Sequence, residues 1–353
     1  MCINNPIAMY KQFIKPWLFL FKQERSHNIF LDLVKVSGYF PGGPIVRLFH
    51  KYDAPGLERE VFGIKFPNPV GLAAGFDFNG EHVDELSNFG FGFVEIGSLA
   101  PNPQTGSEKP RIFRLPKDQA ILNRAGVRSK GVKTAIDCIQ DRRNGTIVAA
   151  NIFHNSESHK DEEIVKDYQT AFSLMYDFVD MFTVNVAFTN DDGLLTVMDS
   201  SALADIIDPL LDLRLCYDYY KPILIKISPD IPFAQLDAIL DFCMMSGVDG
   251  VVATNSTRDV SGLNTGRKKL NSLGVGFVSG APLYARSLST VKHIHEYTKG
   301  RFPIIGCGGI STPEQAAEML DAGASLIEIH SGIVYQGPKL VKRILKHLAG
   351  NQK

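Results

Sequence analysis

The feature that most constrains this chain is an alternation. From Pro69 onward, short apolar runs are separated by segments whose apolar residues recur at helical spacing. The runs cover 69–74, 93–97, 147–152, 181–186, 223–227, 248–254, 303–306 and 326–330. The helical patterns between and after them cover 81–88, 131–141, 162–176, 202–213, 234–245, 290–297, 313–322 and 338–348. Eight strand-helix units over about 280 residues match a (β/α)8 TIM barrel, which takes about 250 residues in its usual form. The competing fold is a doubly wound open sheet. Its first strand usually runs into GxGxxG, whereas this one runs into Gly71-Leu72-Ala73-Ala74-Gly75. The expected fold is therefore α/β, a barrel with a short N-terminal helical extension.

That extension has its own character. Residues 1–51 hold seven Lys or Arg against Glu24 and Asp32, a net of +5 that leaves −6 for the remaining 302 residues. Phe13, Ile14, Trp17, Leu18, Leu20 and Phe21 crowd a first helical pattern over 10–21. Ser26 reads as the cap of a second, which stops at Gly38, and 41–44 reads as a break. Such short apolar helices make no core alone, so they lie on the barrel, on lipid, or on both. The division expected is 1–51, a helical, membrane-associating lobe, and 52–353, the barrel. Trp17, Phe19, Phe21 and Phe30 would enter the interface, with Lys11, Lys15 and Lys22 toward anionic headgroups. The alternative is a lobe that merely lids the barrel mouth.

Composition narrows the partners. A net charge of −1 gives no global basic field for nucleic acid. The five cysteines, Cys2, Cys138, Cys216, Cys243 and Cys307, have no metal-ligand spacing, so no metal is expected, and they read as reduced thiols. The start lacks a secretory pattern, and the longest early apolar run, 16–21, is far below the ~20 residues that span a bilayer. The expected location is cytoplasmic, peripheral on the inner face of the cell membrane.

Barrel active sites form where strands end, with phosphate often held after strands seven and eight. Here those ends read Gly306-Cys307-Gly308-Gly309 and His330-Ser331-Gly332, where glycines let backbone N–H groups approach an anion. Other ends carry Asn151, Asn185, Asn190, Lys226, Thr254, Asn255 and Ser256. One asparagine is an ordinary turn residue. A set of amides suits a planar heterocycle with alternating C=O and N–H groups, and a lysine stabilises anionic charge that develops on it.

These segments carry a resemblance. NPVGLAAG (68–75), VEIGS (94–98), PRIFRL (110–115), NR (123–124), KISPD (226–230), ATNS (253–256), SGAPL (279–283) and PIIGCGGI (303–310) resemble dihydroorotate dehydrogenases over residues 9–348. The stretch Glu24-Arg25-Ser26-His27 is similar to the membrane-associated, quinone-reducing class. The resemblance implies an FMN-dependent oxidation of dihydroorotate to orotate in pyrimidine biosynthesis, with quinone as a partner. It places flavin against Ala74, Gly75, Phe78, Ser98, Asn151, Asn185, Lys226, Thr254, Gly280, Gly309, His330 and Ser331. It places the pyrimidine against Asn123, Asn185, Asn190, Asn255 and Ser256.

The departures cluster on the substrate side. Phe78 stands where the family carries a lysine that touches flavin and the substrate carboxylate, and Phe188 stands where it carries the catalytic base serine. Phe153-His154 replaces Gly-Lys, Val127 replaces a large aromatic, and His330 replaces a tyrosine. His154 is a candidate substitute base, against the plainer reading of a surface histidine. Three functions stay open: a slow dihydroorotate dehydrogenase, a flavin-binding paralogue with a changed substrate, and a non-catalytic scaffold or regulator.

Overall fold

The structure, a computed structural model, describes residues 10–39, 42–53, 56–187 and 200–350. Eight parallel strands close into a barrel: β1 (Val70–Leu72), β2 (Phe93–Leu99), β3 (Ile147–Ile152), β4 (Met181–Asn185), β5 (Ile223–Ile227), β6 (Gly250–Ala253), β7 (Ile304–Cys307) and β8 (Leu326–Ile329). β8 returns to β1, with Ile327 opposite Val70, so no edge is left.

The strands read as unbroken apolar runs because both faces are buried. Alternate residues separate into two packed groups. In β5, Ile223, Ile225 and Ile227 point outward to the helices, while Leu224 points into the barrel. Phe93, Ala149, Met181, Leu224, Val252, Ile305 and Leu326 fill the lower interior. Each fully buried aliphatic side chain contributes about 1.5–3 kcal/mol. Two residues further along, the same inward face carries Glu95, Asn151, Thr183, Lys226 and Glu328, all buried. The barrel thus changes from hydrocarbon to a polar layer within one pleat.

The helix after β7, Pro313–Asp321, starts as its sequence directs. Thr312 Oγ1 accepts from the Gln315 backbone N–H at 3.2 Å, and Gln315 Oε1 accepts from the Thr312 N–H at 3.2 Å. Gly309 precedes it at φ 74°, where a Cβ would lie 2.5 Å from the Tyr284 nitrogen, so this turn needs glycine for packing alone.

Two additions were not expected. A hairpin, Arg59–Val61 with Ile64–Phe66, turns through Phe62 and Gly63, both at positive φ, as a two-residue connection requires. Its Phe66 packs edge-on to Phe93 at 5.3 Å and seals the lower end. A three-stranded antiparallel sheet, ordered Phe277–Gly280, Ala120–Asn123, Ile112–Leu115, lies at the opposite end. Leu115, Ala120, Leu122 and Val278 form one face of it with Leu270 and Leu273.

The N-terminal helices are α1 (Lys15–Phe19), α2 (Gln23–Ser37) and α3 (Gly42–His50), preceded by a π-helical turn, Tyr10–Ile14. Ser26 is not a cap. It lies inside α2, where its hydroxyl donates to the Leu18 carbonyl at 2.6 Å and ties α2 to α1. The expected break at 42–44 is instead the first turn of α3, where Pro44 lacks only an N–H that has no intrahelical partner. Of the four aromatics expected to meet lipid, Trp17 is exposed and half-buried Phe21 packs edge-on against it at 5.4 Å. Phe19 packs on Tyr335 beneath Arg114, and Phe30 packs on Phe76 and Phe89, because these rings find apolar partners on the barrel. Leu20, at 81 % exposure, Leu33, Val36, Leu48 and Phe49 face outward instead. Among the described residues, no helix is long and apolar enough to cross a membrane.

Candidate active site

A cavity of about 450 Å³ opens at the C-terminal ends of the strands, a volume within the usual range for small-molecule sites. Its floor is the polar layer. Lys226 Nζ donates to Glu95 Oε2 at 2.8 Å, and the Ala74 N–H donates to the same oxygen at 2.8 Å. Asn151 Nδ2 donates to Glu95 Oε1 at 2.9 Å. Asn151 Oδ1 in turn accepts from Ser98 Oγ at 2.5 Å and from Asn185 Nδ2 at 3.2 Å. Asn255 Nδ2 donates to Asn185 Oδ1 at 3.4 Å. One network therefore runs from the lysine on β5 to the asparagine after β6.

The charges on this floor are unequal. Burial opposes the charged form of Lys226, but Glu95 and then Glu328 outweigh it and hold the ammonium above its ordinary pKa. Glu95 is the converse: burial works against it, and Lys226 still holds it below the usual carboxylate range. Glu328 loses the contest. Burial, followed by the nearby Glu95 charge, pushes it up to about 8. Lys226 Nζ lies 3.6 Å from Glu328 Oε2, beyond hydrogen-bond distance, and neither carboxylate oxygen of Glu328 has a hydrogen-bond partner.

The walls bring most of the expected residues together. Ala74, Gly75, Phe78, Ser98, Asn123, Asn185, Lys226, Thr254, Asn255, Ser256, Gly309, His330 and Ser331 all line the cavity. Asn123 belongs to the upper sheet, whose cavity-facing side also contributes Ile112, Ile121, Phe277 and Ser279. Ser331 Oγ donates to Ser279 Oγ at 3.2 Å, fastening that sheet to the end of β8. Val127 lines the cavity as well, and burial keeps His330 below its ordinary pKa.

Several expectations need correction. Asn151 is fully buried behind Ser98 and acts through the network instead of lining the cavity. Gly280 is not a lining residue either; its neighbour Ser279 is. His154 does not line the cavity: its Nδ1 donates to the Asn155 carbonyl at 2.7 Å, its ring lies 4.1 Å from that of Phe153, and burial lowers its pKa. A substitute base is not supported there. Phe188 and Asn190 lie outside the described residues.

Sequence reasoning missed Glu95 and Glu328, although a charge at an inward position of a buried strand is a readable signal. It weighed a lobe that lids the barrel mouth but named none of the lobe's residues for the cavity. Glu24 and His27 of α2 line the cavity, His27 Nε2 donates to the Phe76 carbonyl at 2.8 Å, and burial lowers the His27 pKa to about 4.

A closed parallel barrel with a cavity at the C-terminal ends of its strands has the layout of a (β/α)8-barrel enzyme, and the relatives of the chain place it among the oxidoreductases. The dihydroorotate dehydrogenase family model matches residues 56–351, and the chain belongs to that family. A dihydroorotate dehydrogenase (quinone) of Christiangramia forsetii is 40% identical over 338 residues, covering 95% of this chain and 97% of the relative. One from Coxiella burnetii is 37% identical over 344 residues, covering 96% and 97%. The solved structure of the Eimeria tenella dihydroorotate dehydrogenase in complex with ferulenol superposes with a TM-score of 0.83 at 30% identity, covering 93% of this chain and 92% of that one.

Proposed function

We propose that this chain is an FMN-dependent oxidoreductase of the quinone-reducing class that acts on a pyrimidine carboxylate, with dihydroorotate turnover far slower than in relatives that keep the serine and lysine. The observation that carries the reading is the network from Lys226 through Glu95, Asn151, Ser98 and Asn185 to Asn255, closed beneath a cavity of suitable size.

The residues fit a flavin. Glu328 is a buried carboxylate without a hydrogen-bond partner that lines the cavity, so the floor keeps unused polar capacity there. Gly308, Gly309, Ser331 and Gly332 give backbone and hydroxyl groups at the two strand ends suited to phosphate. Ser98, Asn185, Lys226 and Thr254 would hold the ring. When bound, flavin accepts a hydride equivalent from carbon and passes the electrons to a second acceptor. Lys226, protonated and paired with Glu95, would donate to the flavin ring from the floor, and the asparagines would orient the substrate ring. Phe188, by resemblance at the position of the base serine, supplies no proton acceptor; losing a positioned base costs about 10²–10⁴ in rate.

A small apolar crevice of about 40 Å³ beside the cavity supports the quinone assignment. Leu18, Phe19, Phe30, Phe76, Ile333 and Val334 give it its apolar wall, and Gln23, Ser26, His27 and Arg114 line it as well. The outward Leu20, Leu33, Val36 and Leu48 on the N-terminal helices, with Lys22, Arg25 and Lys35, support a lobe that docks on an anionic membrane from the cytoplasmic side. Anaerobic addition of dihydroorotate to the yellow protein tests the central reading. Slow bleaching that Phe188→Ser accelerates about a hundredfold is the expected outcome. A colourless protein that takes up no added FMN sinks it, and bleaching at the rate of intact relatives sinks the claim of a damaged base.

A further inference from the structure

The substrate side is richer in positive charge than the loss at position 78 suggests. The Arg128 guanidinium lies over the Phe78 ring, 4.1 Å from its centroid, and both side chains line the cavity. Arg128 Nη1 donates to Glu24 Oε1 at 3.0 Å, and Arg111 Nε donates to that same oxygen at 3.0 Å. Two guanidiniums thus share one carboxylate, leaving one positive charge in excess. Arg111 is buried, donates through Nη1 to the Thr105 and Ser107 carbonyls, and does not line the cavity. Of this pair Arg128 is the member that meets the cavity, whose lining also includes Arg124 and Arg258 on the side of the upper sheet. Lys226 cannot supply the excess charge, because Glu95 already neutralises that ammonium.

We propose that Arg128, stacked on Phe78 and braced by Glu24, receives the carboxylate of a planar ring acid, so that Phe78 is the platform of a rebuilt anion site. A guanidinium offers a planar fork that matches a carboxylate in two parallel hydrogen bonds, and stacking on an aromatic face fixes that plane without using a donor. The phenylalanine and the arginine belong together: the ring that replaces one cation holds another. The inference rests on the proposed pyrimidine pocket, whose amides hold the ring while Arg128 selects its acidic substituent.

The test uses the FMN-loaded protein and two ligands, orotate and uracil, which share a ring and differ in the carboxylate. Binding is read from the perturbation of the flavin spectrum. The parent should prefer orotate. Arg128→Gln should weaken orotate about ten- to a hundredfold, the value of one charge-assisted bond, with uracil affinity and FMN content unchanged. Arg128→Lys should recover part of the loss. Glu24→Gln has the opposite sign: it leaves a second uncompensated charge and should tighten orotate relative to uracil, which a merely structural role would not do. Unchanged orotate affinity in Arg128→Gln, or a parent that binds both ligands equally, overturns the anion site while the pyrimidine reading stands. A flavin-loaded parent that binds neither ligand overturns both.

Discussion

The floor and the rim of the cavity are built by different means. The floor comes from inward positions of the barrel strands, is buried, and is polar because Glu95, Asn151 and Lys226 satisfy one another. The rim comes from the upper sheet, the segment after it and helix α2, and its charges are partly exposed: Arg128 at 24 % and Glu24 at 15 %. A buried network tolerates little change, since each member covers a neighbour's charge or lone pair. A rim that meets solvent tolerates a change of side chain more readily while the barrel stays intact.

The sharpest way to break this contrast is Lys226→Met. It strips buried Glu95 of its counter-charge, leaving only the Asn151 and Ala74 donors to cover it, and urea titration should show a loss of about 3–5 kcal/mol together with lost FMN retention. A loss below 1 kcal/mol would mean that the floor is no more constrained than the rim. Asn185→Ala removes a donor to Ser98 and Asn151 and should cost about 1–3 kcal/mol by the same measurement.

Glu328→Gln probes the floor through pH. The Glu328 pKa, raised to about 8 from an ordinary 4.5, means that the folded protein keeps a proton which the unfolded chain gives up across that interval. The Glu328 contribution to stability should therefore fall as pH rises from 5 to 8. His27, His154 and His330 follow the opposite trend, because their lowered pKa values favour the folded state as pH rises. The difference between parent and glutamine variant should thus shrink across that window. Glu95, held low, and Lys226, held high, do not titrate in that window. Equal slopes for the two proteins would place the buried proton elsewhere. The smallest effect belongs to the exposed lobe. Leu20→Glu with Leu48→Glu should shift stability by about 0.5 kcal/mol or less, yet abolish flotation with anionic liposomes. Persistent flotation would remove the membrane assignment.

The barrel was legible because strand burial writes itself into short runs such as 223–227, and all eight strands fall on the expected runs. The upper sheet was not, since its strands are four residues long and Phe277 pairs with Asn123 from a distant part of the chain. Ser26 carried a misleading signal, because a hydroxyl before an apolar helix caps it or ties it to a neighbour with equal ease. The amide set and Lys226 were readable from strand ends. Arg128 was not, because its meaning depends on Phe78 and Glu24, which only the folded chain brings within reach.

The seam between β8 and β1 has a consequence for how the chain comes into being. Ile327 must reach Val70 before the barrel has a complete ring, and Tyr10 finds the Val334 carbonyl only beyond that seam. Synthesis proceeds from the N-terminus, so Tyr10 and Phe19 emerge long before Val334 and Tyr335, against which they pack. Until nearly the whole chain has left the ribosome, those side chains have no barrel to rest on. Through that interval they are transiently exposed apolar surface, of the kind that chaperones cover.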